Sequence, residues 1–409
     1  MELVKLDEKE YRNYWENHPQ KTFLSSPEIG KLREKNGWKV DYVGHLYENK
    51  LVGAAMLLSH KRRFGKYEYY CPRGVLTDYN DEKMLTLFLE NIKKYVEEHN
   101  GYIFRMDPYI INKERDIDGN IVKNGIDNSI VKKYLKKLDF RKVKEEDMEQ
   151  VGWMFSLDLE NKSEEDILKG MKPNTRNTIR KTEKIGIELK ELKIDELDKF
   201  MDIMEQTGNR KNLNVRKLNY YKDMYELFHD KGEIKYIITT LDLKKYIHDI
   251  RNTKKEKKEQ LEKLKNAKYN DGIRKQLTNE IESLKNKEND TEELMKRSGK
   301  DEIILSGSMF MLIKPEIIYL SSGNYEEYLH FNSQYLIQWE MIKYGIKNGF
   351  KKHNFYGIPA NINEHPKNYG IYEFKRGYGG YVEELIGEYE VPISWQYYLL
   401  KLIHKLRKR

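Results

Sequence analysis

Residues 243–300 carry a highly charged stretch of coiled-coil character, set inside sequence that otherwise reads as mixed α/β. Apolar residues fall at Leu243, Ile247, Ile250, Leu261 and Leu264, then at Ile273, Leu277, Ile281, Leu284 and Leu294. Spacings of three, four and seven place one apolar seam on each of two helices. Asn270-Asp271-Gly272 between the two sets is a turn signal, and no proline, cysteine or tryptophan interrupts the stretch. Two amphipathic helices joined in this way are predicted to fold back as an antiparallel hairpin. The charged runs 254–258 and 285–288 prefer water, so the hairpin must project from the unit that carries it. It serves either as a solvated spacer or as an arm that touches a large partner.

The rest of the chain alternates helix and strand signals. In the first part, residues 27–36 read as a helix closed by Gly37, and 39–47 with 51–59 as a strand pair around Glu48-Asn49-Lys50. A short strand at 67–70 precedes a strong amphipathic helix over 83–98, with Met84, Leu87, Leu89, Ile92 and Val96 expected on its inner face. A strand follows at 102–106. A second unit repeats the plan. It has a strand at 153–157, a helix at 163–170 opened by a Ser-x-x-Asp cap, a basic helix at 175–185, and helices at 194–207 and 218–229. The strand 234–241 leads into the arm, and strands 303–313 and 316–320 resume after it. A long helix spans 331–348, a strand 354–356, and a basic helix 395–409. The fold expected is α/β with two similar units and mixed sheets. The units are 1–147, and 148–242 with 301–392; the arm is 243–300 and the terminal helix 393–409.

At 409 residues the chain is long enough for two or three domains. The formal charge of +8 allows an anionic partner such as nucleic acid, a nucleotide diphosphate or an acidic lipid surface, without requiring one. A single cysteine, Cys71, excludes an internal disulfide framework. Among Tyr69, Tyr70 and Pro72 it reads as a buried apolar group, with a nucleophile as the alternative. Residues 1–7 lack the apolar core of a signal peptide, and no apolar run approaches the ~20 residues of a membrane span. The expected location is the cytoplasm, whose reducing chemistry agrees with the cysteine count.

Two runs could carry chemistry. Gly357-Ile358 and the glycine- and aromatic-rich segment 368–381 place Lys375 and Arg376 beside backbone that can approach a ligand closely. Such a loop can hold an anion or stabilise an oxyanion, and it reads equally as a glycine-rich hairpin with surface lysines. In residues 172–184, Arg176, Arg180, Lys181 and Lys184 follow helical spacings beside threonine hydroxyls. That pattern suits phosphate contact or a solvated face.

These runs also carry a resemblance. In order along the chain stand Phe23-Leu24-Ser25-Ser26-Pro27-Glu28 with Gly37-Trp38, Pro72-Arg73-Gly74 with Asp78, and Asp107-Pro108-Tyr109. Residues 173–180 with Lys184 and Gly186 follow, then Arg216 with Tyr220-Tyr221, Gln338-Trp339-Glu340-Met341, and residues 370–379. Together they span nearly the whole chain, which resembles the FemABX family of non-ribosomal peptidyl transferases, builders of peptidoglycan cross-bridges. The arm falls where staphylococcal-type members carry one. The resemblance implies two acetyltransferase-like (GNAT-like) domains. It implies transfer of an amino acid from aminoacyl-tRNA to an amine of a precursor stem peptide or growing bridge, on lipid II or UDP-MurNAc-pentapeptide. Aminoacyl-tRNA is then a co-substrate and no cofactor is called for, because the ester is already activated.

The resemblance assigns Lys375 to the tRNA 3′ end and the developing oxyanion, and Asp107 to orienting or deprotonating the attacking amine. It assigns Arg216 and Tyr220 to the acceptor's diphosphate and nearby groups, Arg73 to the substrate, and Arg176, Arg180 and Lys181 to tRNA. The family's lysine on the first helix is matched by Arg33, a departure that keeps charge but changes geometry, with Lys31 as the nearby alternative. A usual Tyr-Gly-Ala segment stands here as Leu320-Ser321-Ser322-Gly323, with Tyr319 as the matching acceptor contact. Rival readings are an acetyl-CoA-dependent N-acetyltransferase and a non-enzymatic coiled-coil adaptor for RNA or a membrane complex. The former usually shows an Arg/Gln-x-x-Gly-x-Gly/Ala turn for the CoA pyrophosphate, and no run of that form is present. The basic amphipathic end 401–409 suits contact with the inner face of the membrane, or a helix packed on the first domain with its charges outward. A homo- or hetero-oligomer with related transferases is a further expected partner.

Overall fold

The computed structural model describes residues 2–264, 270–360 and 366–407. Two mixed sheets form the frame, so the α/β class with mixed sheets holds. The first has seven strands in the order Glu2–Leu6, Lys39–Tyr47, Lys50–Lys61, Tyr67–Cys71, Gly101–Met106, Tyr389–Pro392 and Arg141–Lys142. The second has eight, ordered Ile111–Glu114, Tyr381–Leu385, Trp153–Asp158, Lys352–Gly357, Glu316–Asn324, Glu302–Ile313, Ile234–Asp242 and Glu188–Glu191.

Each sheet is antiparallel apart from one parallel pair: Tyr67–Cys71 with Gly101–Met106, and Glu316–Asn324 with Lys352–Gly357. A parallel pair needs a crossover, and a helix supplies it both times, Glu82–Glu98 and Ser333–Lys347. Strands cross residue 147 in both directions. Ile111–Glu114 pairs with Tyr381–Leu385 in the second sheet, and Tyr389–Pro392 returns to pair with Gly101–Met106 in the first.

A single apolar cluster also joins the halves. Tyr11, Trp15, Phe23, Ile29 and Leu32 pack with Phe200, Tyr221, Met224, Phe228 and Tyr236. Full burial of each such side chain contributes roughly 1.5–3 kcal/mol, which fixes the two sheets against each other.

The helix Glu82–Glu98 buries Leu85, Phe88, Leu89, Ile92 and Val96. The inner face therefore runs through Leu85 and Phe88 rather than the expected Met84 and Leu87, because that set keeps the spacing of three and four without a gap. Cys71 is buried, and burial pushes its thiol up, which removes the nucleophile reading.

The arm is present as two helices, Leu243–Lys263 and Asp271–Ser298, packed against each other. Leu243, Ile247, Ile250, Leu277, Thr291 and Leu294 are buried, whereas Ile273 is exposed and lies off the seam. Arg251 bridges Glu288 at 2.8 Å and Glu292 at 2.6 Å, and Lys257 meets Glu280 at 2.8 Å. The Asn270-Asp271-Gly272 signal does not make the turn. Asn270 stands at the N-cap and the next two residues open the second helix. The connection, 265–269, lies outside the described residues.

The glycine-rich segment 368–381 is likewise not a loop. Its first part belongs to the helix Pro366–Arg376, and Gly379 and Gly380, both at positive φ, turn the chain into the strand Tyr381–Leu385. The terminal helix spans Gln396–Arg407. Among the described residues no helix is long and apolar enough to cross a membrane.

Candidate functional site

Lys375 stands in the last turn of the helix Pro366–Arg376 and is 5% exposed. Its Nζ donates to the carbonyls of Gly357 at 2.7 Å and Tyr356 at 3.2 Å. Those acceptors are free because the strand Lys352–Gly357 is bulged. Its register with Trp153–Asp158 shifts between Asn354 and Gly357, and Tyr356 adopts a left-handed φ of 64°. A bulge takes residues out of the ladder and re-aims their carbonyls. Burial pushes the lysine down to about 7, and among the described residues it has no ion-pair partner to offset that. An amine has three hydrogen-bonding directions besides its carbon stem. Two are taken by carbonyls. The third is an N–H when the group is charged and a lone pair when it is neutral.

The same helix is latched to the basic helix Pro173–Ile185. The Lys172 N–H donates to the Gly377 carbonyl at 2.9 Å, and Lys172 Nζ lies 2.7 Å from Glu373. A side chain at Gly377 would collide with the Thr175 hydroxyl, so the close approach requires glycine. Within the basic helix, Arg180 and Lys181 are exposed. Arg176 is not available in the way expected of it. Its guanidinium donates to the carbonyls of Leu168 at 3.0 Å and Met171 at 2.6 Å, closing the end of the helix Glu164–Gly170, whose last carbonyls lack partners of their own.

Across from this lies a buried pair. Asp107 Oδ1 accepts from the Tyr70 hydroxyl at 2.8 Å and from the Arg73 N–H at 2.9 Å, and its Oδ2 lies 3.3 Å from Arg73 Nη1. Both side chains are buried, and burial holds the Asp107 carboxyl above its usual range despite the guanidinium. Asp107 is enclosed and holds Arg73. Arg73 donates onward to the Val151 carbonyl at 2.9 Å, lies 5.5 Å from the Tyr109 ring centroid, and is an electrostatic neighbour of the Tyr356 phenol. Tyr356 thus neighbours the arginine through its side chain and binds Lys375 through its carbonyl.

Tyr220 brings in the remaining cations. Arg216 lies over its ring at 5.3 Å, and burial pushes its phenol up with Arg216, Tyr356 and Arg33 as electrostatic neighbours. Arg33, from the helix Pro27–Lys35, also covers the Trp38 ring at 5.7 Å. Among the described residues neither arginine has a carboxylate partner. Lys31 points elsewhere, pairing with Glu8 at 2.9 Å on the far side of its helix, so Arg33 rather than Lys31 joins the group. Tyr319 is not brought there either. It is a core residue, stacked on Phe310, with its hydroxyl donating to Gln334 Oε1 at 3.1 Å.

The arrangement joins an amine poised between its charged and neutral forms to two unpaired guanidinium groups through Tyr356. It suits an acyl transfer that needs an oxyanion donor near an anion-binding surface. Inspection of the sequence missed Tyr356 and Asn354. Their signal was polar and glycine residues in a strand whose other members are buried, where each polar group must find a partner.

FemA of Staphylococcus epidermidis is 27% identical to this chain over an alignment of 427 residues covering all of both proteins. FemB of the same organism is 28% identical over 418 residues, covering all of this chain and 99% of FemB. Both relatives are named as aminoacyltransferases. The crystal structure of FemX superposes with a TM-score of 0.75 at 22% identity, over 98% of this chain and 99% of that one, so the fold is shared. With the FemAB family matching from residue 6 to residue 405, this chain belongs to the FemAB family.

Proposed function

We propose that this protein is an aminoacyltransferase of peptidoglycan cross-bridge synthesis. It moves an amino acid from aminoacyl-tRNA to an amine of the precursor stem peptide or growing bridge, on lipid II or UDP-MurNAc-pentapeptide. The observation that carries the reading is the buried, carbonyl-cradled Lys375 amine in a FemAB chain, whose cradle residue Tyr356 neighbours Tyr220 and, through it, guanidinium groups that lack carboxylate partners among the described residues.

The chemistry balances without a cofactor. The acceptor amine attacks the ester carbonyl, a C–N bond forms, and negative charge develops on the carbonyl oxygen. The C–O bond then breaks, and the terminal ribose hydroxyl leaves with the proton that the amine gives up. Lys375 as ammonium donates its third N–H to the developing oxyanion, a contact stronger in the transition state than in the ester. Arg33, Arg216 and Tyr220 hold the acceptor's diphosphate, and Arg73, held by Asp107, keeps Tyr356 in place. Arg180 and Lys181 meet tRNA phosphates.

Because the ammonium is the acting form, kcat/KM falls as pH rises through about 7, while the need for a free acceptor amine makes it rise from the acid side. A bell results.

The arm, with its alternating Lys and Glu, lies along tRNA or supports a second transferase subunit. The protein works in the cytoplasm at the inner face of the membrane. Trp395, just before the terminal helix, and Tyr398 and Leu402 within it are 69%, 57% and 55% exposed. Residues 401–409 hold five Lys and Arg and no acid, and aromatic residues with basic neighbours suit an anionic interface. Binding to phosphatidylglycerol vesicles, absent on neutral vesicles and lost in Trp395→Ser/Leu402→Ser, tests this last point.

The direct test of function is incubation with a mixed charged tRNA pool and purified precursor, followed by mass spectrometry of the precursor. Gain of one aminoacyl residue supports the reading. No gain with charged tRNA, or an acetyl increment with acetyl-CoA, refutes it.

A further inference from the structure

Asn354 is fully buried in the strand Lys352–Gly357, and every polar atom of its side chain has a partner. Its Oδ1 accepts from the Tyr356 N–H at 2.8 Å, closing a side-chain turn of the kind asparagine forms two residues ahead of itself. Its Nδ2 donates to Glu316 Oε2 at 3.2 Å and to the Tyr109 hydroxyl at 3.3 Å. Those partners are themselves fixed. Tyr109 donates to Glu316 at 3.0 Å, Lys352 lies 3.2 Å from Glu316 and 3.0 Å from Glu383, and Ser156 donates to Glu383 at 2.6 Å.

Tyr356 needs this anchor. Its left-handed backbone is one that a residue with a side chain adopts at a cost, and it leaves the strand ladder there. The Asn354 amide supplies what the ladder does not, a partner for the Tyr356 N–H. With that N–H held, the carbonyls of Tyr356 and Gly357 face Lys375.

We propose that Asn354 is a positioning residue for the transfer reaction, holding the Tyr356 turn so that two backbone carbonyls aim Lys375 Nζ at the reacting ester. The inference rests on the catalytic reading of Lys375. Other charges near the lysine are already matched. Glu373 pairs with Lys172 and Arg376, Arg376 with Asp118, Arg73 with Asp107, and Lys352 with Glu316 and Glu383. A change at Asn354 therefore reaches Lys375 through the backbone turn and not through a new ionic partner.

The test compares Asn354→Ser with Asn354→Ala in the full chain. The two differ by one hydroxyl, and both lose the donors to Glu316 and Tyr109. Only serine can still accept from the Tyr356 N–H, as hydroxyls do more weakly. The readouts are kcat and KM for transfer, and the titration of the Lys375 Nζ by lysine-selective NMR, assigned with Lys375→Met. In the alanine protein kcat falls by about tenfold with KM for precursor nearly unchanged, as loss of aim at the reacting centre requires. Its Lys375 midpoint moves by about half a pH unit or more, upward as water replaces the carbonyls. Serine restores part of both. Equal behaviour of the two variants, or a Lys375 midpoint that stays at the wild-type value in alanine, overturns the proposal. If the alanine protein fails to fold, Asn354→Leu fills the space and takes its place in the comparison. Absence of transfer by the wild-type protein would refute the function and leave the NMR titration still readable.

Discussion

Replacing Lys375 by methionine should abolish transfer and remove a pH dependence from the stability of the folded chain. The lysine is lowered from its ordinary 10.5 to about 7 by burial alone. Unfolding returns it to water, so between about 7 and 10.5 the unfolded chain binds the extra proton, and stability rises with pH across that window. Below about 7 the lysine is charged in both states, and the folded state carries the full cost of the buried ammonium. One pH unit of such linkage is about 1.36 kcal/mol. Going from pH 7, where the folded lysine is half protonated, to pH 9, the wild-type protein should therefore gain about 2.3 kcal/mol relative to Lys375→Met, in which this group is gone. Near pH 6 the variant should be the more stable by a few kcal/mol, reduced by roughly 1–3 kcal/mol for each carbonyl left without its donor. The assay is urea unfolding of both proteins at pH 6, 7, 8 and 9, with the difference between them plotted against pH. A difference that stays flat from pH 7 to 9 would refute the reasoning, because it would mean that the amine titrates alike in both states.

Other outcomes follow from the same geometry. Arg216→Ala and Arg33→Ala should each raise KM for precursor by about tenfold and leave kcat and thermal stability nearly unchanged, since charge-assisted anion contacts are lost and no internal ion pair is broken; a fall in kcat alone would contradict the binding role. Asp107→Asn should lower stability by about 3–5 kcal/mol, because it leaves the enclosed Arg73 guanidinium uncompensated; a thermal shift of under about 2 °C would show that the pair contributes little. Excising residues 254–285 and closing with a short glycine-serine turn should leave the melting transition near that of the parent. The hairpin's base stays intact, with the Leu243 N–H bonded to the Asp301 carbonyl at 2.8 Å and Arg251 still on Glu288. Transfer from charged tRNA should fall, and full turnover by the shortened protein would remove the arm from the reaction.

What could be read in the chain divides along a physical line. The arm was legible because its apolar residues recur every three, four and seven positions, a period that only paired helices satisfy. Lys375, Arg216 and Tyr220 were singled out through motifs. Their surroundings were not, because those are made by contacts between distant segments. The cradle of Lys375 comes from carbonyls 18 and 19 residues earlier, and the partner that explains Asp107 is Arg73, 34 positions away. Tyr319 and Arg176 misled for the same reason. Each has a residue type suited to a ligand, and each meets an internal partner that local spacing does not encode, Gln334 for one and the end of a helix for the other.

One signal was present and is of general use. Lys352, Asn354, Glu316 and Glu383 lie in strands of the second sheet, and Glu316 pairs directly with Lys352 in the ladder. Charged and amide groups in such strands survive only if they satisfy one another. A run such as Lys352-His353-Asn354-Phe355-Tyr356-Gly357, polar where a strand's buried face should be apolar and ending in glycine, therefore marks a place where backbone is being bent for a purpose. Here the bent backbone presents two carbonyls to a buried amine, and burial lowers the affinity of that amine for its proton.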